Sequence, residues 1–266
     1  MNLIRWSSTS LSSIPFSGVD KTIQCLIVEI NQGELELDRI IPKRELESFL
    51  TYYGNRITHF KISSDAFSNE DLLSFVRLCL NISKLSLQSC KIRDCFLERL
   101  PILPLTKLDL ADNQITHLGL RALIRRNLLP YSLKTLTLDE NPIGKEGALA
   151  LIEHPLMELE ELYLAECEIG NEGVEALASS PTLKPKKLDI SACKINKIAV
   201  AILIKSPIFI RVEYLYLRDN KNLGNGSIQT ITQGNFPKLR FLSMTNTQAD
   251  QTAKKYVEGR RFTLQI

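Results

Sequence analysis

LYLAECEIGNEGVEALASSP, residues 162–181, and LTLDENPIGKEGALALIEHP, residues 136–155, align position for position. Each opens on apolar-x-apolar, Leu162-Tyr163-Leu164 or Leu136-Thr137-Leu138. Five residues after the first leucine comes Cys167 or Asn141, and two further on comes Ile169 or Ile143. Then the period changes. Glu172 to Ala178 and Glu146 to Ile152 carry apolar residues at i, i+3 and i+4, and Pro181 or Pro155 follows. Alternation reads as a strand and the longer period as a helix closed by proline, so each stretch is one strand-turn-helix unit.

Working outward, the apolar-x-apolar triplet recurs at Phe60-Lys61-Ile62, Leu85-Ser86-Leu87, Leu108-Asp109-Leu110, Leu188-Asp189-Ile190, Leu215-Tyr216-Leu217 and Leu242-Ser243-Met244. Subtracting successive first positions gives steps of 25, 23, 28, 26, 26, 27 and 27, the period of repeats that pair a strand with a helix and shorter than that of helical repeats. The fifth place after the first apolar residue holds Cys90, Asn113, Asn141, Cys167, Cys193 or Asn220. A chain turning inward there carries backbone groups that need partners, and a buried Asn amide supplies them. A thiol does part of that work while packing as a small hydrophobe, so Cys90, Cys167 and Cys193 read as structural. Cys25, Cys79 and Cys95 lie in apolar stretches and are expected to be buried thiols.

These units resemble the ribonuclease-inhibitor class of leucine-rich repeats, a class shared with Ran GTPase-activating proteins and the sensor arms of innate immune receptors. The resemblance covers roughly residues 57 to 266 and implies an α/β solenoid, a horseshoe with a parallel sheet on its concave face and helices outside. It identifies a fold and scarcely a function. Departures are visible. The unit from Leu85 is short, with Pro101 and Pro104 where a helix would end, so its outer segment is expected to be a turn or two. The unit from Leu215 has an extra residue at Lys221-Asn222-Leu223, and in the last one Asn246 comes one place early.

Residues 1–56 are expected to form an N-terminal cap packed on the solenoid. Ile23 to Ile30 and Glu34 to Ile41 alternate like the arms of a β-hairpin about Asn31-Gln32-Gly33, and Pro42 opens a helix through about Tyr53. Ser68-Asn69-Glu70-Asp71 offers a capping box. About eight units fill residues 57–266, and Arg261 to Ile266 alternate as a closing strand. A second domain is not expected.

Composition bounds the function. Hydrophobic residues at 44% of 266 supply a continuous core,. A formal charge of +3 falls short of the basic stripe of a dedicated nucleic-acid binder. The hydroxyl-rich start cannot serve as the core of a secretory signal, and no stretch reaches the roughly 20 apolar residues of a membrane span. A cytoplasmic protein with free thiols is therefore expected. His59, His117 and His154 lack metal-ligand spacing and are expected on the surface or in turns. Phosphate-binding loops and nucleophile elbows are absent, and Asp139 beside Glu140 reads as solvated charge. No enzyme, cofactor or metal site is expected.

The open sheet face remains. Flanking residues of each triplet point outward, and eight strands about 4.8 Å apart make a strip on the order of 35 Å long. Tyr163, Tyr214, Tyr216 and Phe241 place aromatics in its C-terminal half. Asp109, Asp112, Asp139, Glu140, Glu161, Glu166 and Asp189 make its middle acidic, relieved only by Lys84, Lys107 and Lys187. Aromatic anchors rimmed by charge suit a protein partner, so the expected function is protein binding on the concave face. The resemblance adds three readings. A free-standing array resembles effectors of intracellular bacteria such as Legionella, implying action in a host cytoplasm. The Ran-activator class implies an arginine acting on a GTPase, for which Arg93 is the candidate. The chain is otherwise the repeat arm of a receptor or ubiquitin-ligase adaptor.

Overall fold

Ten strands lie in one parallel sheet in chain order, each hydrogen-bonded to the next. The structure is a computed structural model that describes residues 33–37, 42–234 and 236–266. The strands are β1 Glu34–Leu37, β2 His59–Ile62, β3 Lys84–Leu87, β4 Lys107–Asp109, β5 Thr135–Thr137, β6 Glu161–Tyr163, β7 Lys187–Asp189, β8 Tyr214–Tyr216, β9 Phe241–Ser243 and β10 Thr263–Gln265. Between them run α1 Lys43–Tyr53, α2 Asn69–Arg77, α3 Asp94–Leu97, α4 His117–Arg125, α5 Gly144–Ile152, α6 Gly170–Ser179, α7 Lys197–Leu203 and α8 Asn225–Gln233. This is an open leucine-rich-repeat solenoid.

Register follows burial. Leu108, Leu136, Leu162 and Leu188 are Cα partners on consecutive strands and are buried. A one-residue slip would turn all of them to water, at roughly 1.5–3 kcal/mol for each leucine exposed. The core is one continuous column from Leu35 to Ala253.

The polar ladder of the inner turn is built as its chemistry requires. Asn113 Oδ1 accepts from the N–H groups of Cys90 and Ile92 at 3.1 and 2.9 Å, while Nδ2 donates to Leu87 and Leu110 carbonyls. Asn220 repeats this pattern, and Asn141 repeats it with the Ile115 N–H alone at Oδ1. Where cysteine stands instead, Sγ donates to a carbonyl of the preceding coil: Cys90 to Ile62, Cys167 to Leu138 and Cys193 to Leu164 at 3.4, 3.1 and 2.9 Å. The two solutions differ in backbone. After each cysteine the next residue, Lys91, Glu168 or Lys194, is left-handed, with φ between 52° and 59°. After each asparagine it is not.

Several local expectations meet the coordinates directly. Pro42 precedes α1, Ser68 and Asp71 form the capping box of α2, and α3 is a single short turn. Thr247, not Asn246, fills the ladder place in the last coil, its hydroxyl donating to Met244 O at 2.7 Å. Asn246 takes the left-handed position before it, at φ 57°. Leu223 closes the inserted turn and is buried.

The strand Glu34–Leu37 is present, but its described pairing is parallel to β2, as the first rung of the sheet. The other expected hairpin arm, Ile23 to Ile30, and Cys25 lie outside the described residues. Cys79 is buried, but Cys95 is exposed, a correction. In a helix as short as α3, Phe96 and Leu97 fill the inner face and Cys95 is left outside. His154 is also buried, in the turn after α5, against the Tyr131 ring at 5.8 Å. Burial lowers its pKa.

Candidate functional site

Alternation turns Thr135, Thr137, Glu161, Tyr163, Lys187, Asp189, Tyr214, Tyr216 and Phe241 away from the core onto the concave face. What holds them is a chain of charge and ring contacts crossing four coils. Glu161 pairs with Lys187 at 2.6 Å and accepts from the hydroxyl of Tyr163 at 3.3 Å. The Lys187 ammonium lies 5.9 Å from the Tyr214 ring centre. The Tyr216 and Phe241 rings meet at 5.6 Å. Burial, reinforced by the Glu161 charge, pushes the Tyr163 phenol up to about 12, so it remains a neutral donor at physiological pH.

Asp189 faces outward on its strand yet is 4% exposed. Tyr163 and Tyr216 are its register partners on either side, and bulky neighbours on both sides of a short residue remove it from water. Its carboxylate is satisfied there by the Ser191 N–H at 2.9 Å and the Arg218 guanidinium at 3.0 Å. Arg218 also lies over Tyr216, 5.3 Å from the ring centre. The sequence reading of the strip missed Arg218. It stands three places after Leu215, the place Asp139 holds after Leu136, so reading that row would have found it.

The other acids divide in two. Asp109 ends β4 and Asp139 lies two residues past β5, both fastened to backbone. Asp109 accepts from Ala111 N at 3.2 Å and from the Ser86 hydroxyl at 3.2 Å. Asp139 accepts from Ala165 N at 2.7 Å, a contact that favours its ionised form. Burial and the charges of Asp189, Asp109 and Glu140 outweigh it and raise Asp139 to about 7. Asp139 is therefore no plain solvated charge, contrary to the sequence reading. Asp112, Glu140 and Glu166 occupy the left-handed position at the strand exits, φ 52° to 56°, with exposed side chains at the rim. Partial burial, then Glu166 and Asp112, raise the Glu140 pKa.

The structure thus brings Glu161, Tyr163, Asp189, Tyr214, Tyr216 and Phe241 into one connected surface. Asp109 and Asp139 border it, and Asp112, Glu140 and Glu166 form a separate rim. Arg93 lies elsewhere, at the start of α3, its Nε donating to Gln114 Oε1 at 3.1 Å. Among the described residues no group of three or more His, Cys, Asp or Glu could hold a metal ion, and no helix is long and apolar enough to cross a membrane.

Comparison with known proteins agrees with this architecture. Residues 104–123, 132–151 and 157–178 match the leucine-rich-repeat family, and each stretch contains one strand and its turn. The chain is similar to a chain of the Rad7–Elc1 complex of yeast, with a TM-score of 0.68 at 17% identity over 91% of this chain and 70% of that one. It is also similar to the leucine-rich-repeat-containing protein LegL7 of Legionella pneumophila, at 0.50 and 13% over 86% and 89%. A chain of the TLR13–ssRNA13 complex gives 0.50 and 18% over 89% and 31%. No curated protein matches. At these identities the likeness is one of fold.

Proposed function

We propose that this leucine-rich-repeat protein recognises a protein partner on its concave face, with Tyr163, Tyr214, Tyr216 and Phe241 as the anchor. The observation that carries the reading is the restraint of those rings before any partner arrives. Tyr163 is tied to Glu161, Tyr214 lies beside Lys187, and Tyr216 is held between Arg218 and Phe241. Large side chains already fixed lose little entropy on binding, and aromatic residues with Arg dominate interface energetics. The protein acts by binding and not by catalysis. A Rad7–Elc1 assembly on a similar fold supports the use of such a solenoid in a complex.

Capture of partners by wild-type protein and by a Tyr163→Ala, Tyr214→Ala, Tyr216→Ala triple variant, compared quantitatively, tests this. The anchor reading expects the variant to lose the wild-type partners. Equal capture of identical partners by both proteins rejects it. Action in a host cytoplasm after secretion by a bacterium is the finer proposal, supported by the fold likeness to LegL7 over most of both chains. A translocation reporter fused to this chain decides it, and retention in the producing cell rejects it.

A further inference from the structure

On the concave face two lysines stand side by side on neighbouring strands. Lys84 and Lys107 are Cα partners on β3 and β4, both exposed, and neither has an ion-pair partner among the described residues. Their neighbours are already committed. Lys61 pairs with Glu36. Asp109, adjacent on β4, gives its two oxygens to Ser86 and Ala111. Further along, Lys187 and Arg218 are bound to Glu161 and Asp189. Like charges directly opposite each other across strands weaken a sheet, so a ligand that neutralises this pair gains in addition what the free protein lacks.

The two lysines line one side of a groove of about 190 Å³ that also reaches Lys61, Ser86 and His59 and, at its far side on β1, the carboxylates Glu34 and Glu36, of which Glu36 is paired with Lys61. This volume is smaller than the roughly 300–1,000 Å³ of small-molecule sites and suits a side chain. From the gap between β3 and β4 to Tyr214 on β8 there are four to five strand spacings. At about 4.8 Å each this is roughly 20–25 Å, the reach of six or seven extended residues at about 3.3 Å per residue. From the lysines toward the aromatics come Asp109 and Asp139, neither paired with a cation among the described residues; Asp109, and Asp139 in its ionised fraction, repel a carboxylate moved from the lysines along the sheet. Attraction at one place and repulsion at the next is how an interface fixes register.

Resting on the concave-face reading, we infer that the partner docks through an extended acidic segment. It presents an Asp or Glu side chain to Lys84 and Lys107 and an apolar or aromatic side chain six or seven residues away to Tyr214, Tyr216 and Phe241. The order of these two features sets the direction in which the partner crosses the sheet.

Panning a random dodecapeptide phage library on the full chain tests this. The companion targets are a Lys84→Thr, Lys107→Thr variant, a Lys84→Glu, Lys107→Glu variant and the tyrosine triple variant. Wild-type protein is expected to enrich peptides with an acid six or seven residues from an aromatic or leucine. The Thr variant loses the acid and keeps the apolar position, while the Glu variant replaces the acid by Lys or Arg. In fluorescence anisotropy a selected peptide binds the Thr variant at least tenfold more weakly, with a difference that shrinks at high salt. Thermal melting of the Thr variant at or above wild type shows that the loss is not unfolding.

Enrichment without an acid at that spacing, or with the same acid on all four targets, overturns the inference. Peptides lost on the tyrosine triple variant but indifferent to Lys84 and Lys107 leave the concave anchor standing and reject the acidic segment. Peptides that still bind the triple variant reject the anchor itself. No enrichment at all rejects the linear segment and leaves the anchor to the capture experiment. A 12-nucleotide single-stranded RNA that displaces the selected peptide and fails on the Thr variant would reassign the groove to nucleic acid.

Discussion

Asp189 and Arg218 close a 3.0 Å ion pair across neighbouring coils in which the carboxylate side chain is 6% exposed and the guanidinium side chain 44%. The asymmetry decides what each contributes. Arg218 keeps a large share of its contact with water, whereas Asp189 depends on the arginine and on the Ser191 N–H for its solvation.

Arg218→Ala is therefore expected to destabilise the fold by ~1–3 kcal/mol. That is the cost of stranding a buried acceptor, held below the figure for a fully enclosed pair because the vacated arginine site admits water. Adding Asp189→Asn should recover part of the loss, giving a coupling term in a double-mutant cycle. Urea unfolding measures both. An Arg218→Ala protein within about 0.5 kcal/mol of wild type would show that the pair is ornamental to stability.

Asp139 yields a pH dependence. Its folded pKa of about 7 lies above the roughly 3.9 of an unfolded aspartate, so between these values the folded state holds a proton the unfolded state has released. Stability from this group is complete below about pH 4, falls as pH rises through 7, and is level above it. Asp139→Asn keeps the oxygen that accepts from Ala165 N and removes the titration. The variant should exceed wild type at pH 8 by on the order of 2–4 kcal/mol, with the gap narrowing toward pH 4. Chemical unfolding at both pH values reads the gap, and a constant difference would place the Asp139 pKa near its ordinary value.

How much of this was readable beforehand depended on whether a residue's role repeats. Leu108, Leu136, Leu162 and Leu188 stood out because burial fixes a strand's register, and every coil imposes the same test. Glu34–Leu37 alternates and so reads as a strand, but alternation says nothing about partner or direction. Only the coordinates place it parallel to β2. Arg218 and the burial of Asp189 were illegible for a different reason. Both depend on which residues stand beside them on the next coil, tens of positions away in sequence. Cys95 was misread because one turn of helix is too short to show a period.

Asparagine and cysteine at the ladder position are not interchangeable, and the next residue tells where. Cysteine is followed by a left-handed residue in all three coils that use it. Asn141 is followed by Pro142, whose ring fixes φ near −65° and forbids that turn. Asn141→Cys should therefore cost nearly as much as Asn141→Ala, ~3–5 kcal/mol for several stranded buried groups. Asn113→Cys, followed by Gln114, should cost clearly less. Thermal melts of the three variants check the order. Equal loss at positions 141 and 113 would mean that the left-handed turn is incidental to the thiol.

The two glycines of each Ile-Gly-x-x-Gly stretch serve different ends. Gly170 has φ +63° and open space around its Cα, whereas Gly173 is helical and an added Cβ would come within 2.7 Å of Ile169 Cβ and 3.3 Å of Ala148 Cβ. Left-handed backbone costs an alanine about 1–2 kcal/mol. At Gly170 this is the whole penalty, and the backbone keeps its bond to Cys193 O at 3.0 Å. At Gly173 alanine would otherwise favour the helix, but the neighbouring Cβ atoms cannot rotate away. The helical turn between Ile169 and Gly173 must distort, and the coil carrying Ala148 must give by a few tenths of an ångström, at a typical overpacking cost of about 1–3 kcal/mol,. Both single variants should melt below wild type, for separable reasons. Ala148→Gly introduced with Gly173→Ala relieves one of the close contacts and should recover some stability, while the same change beside Gly170→Ala should only add its own helix penalty. Additive behaviour in both pairs would show that the coils already have room at Gly173.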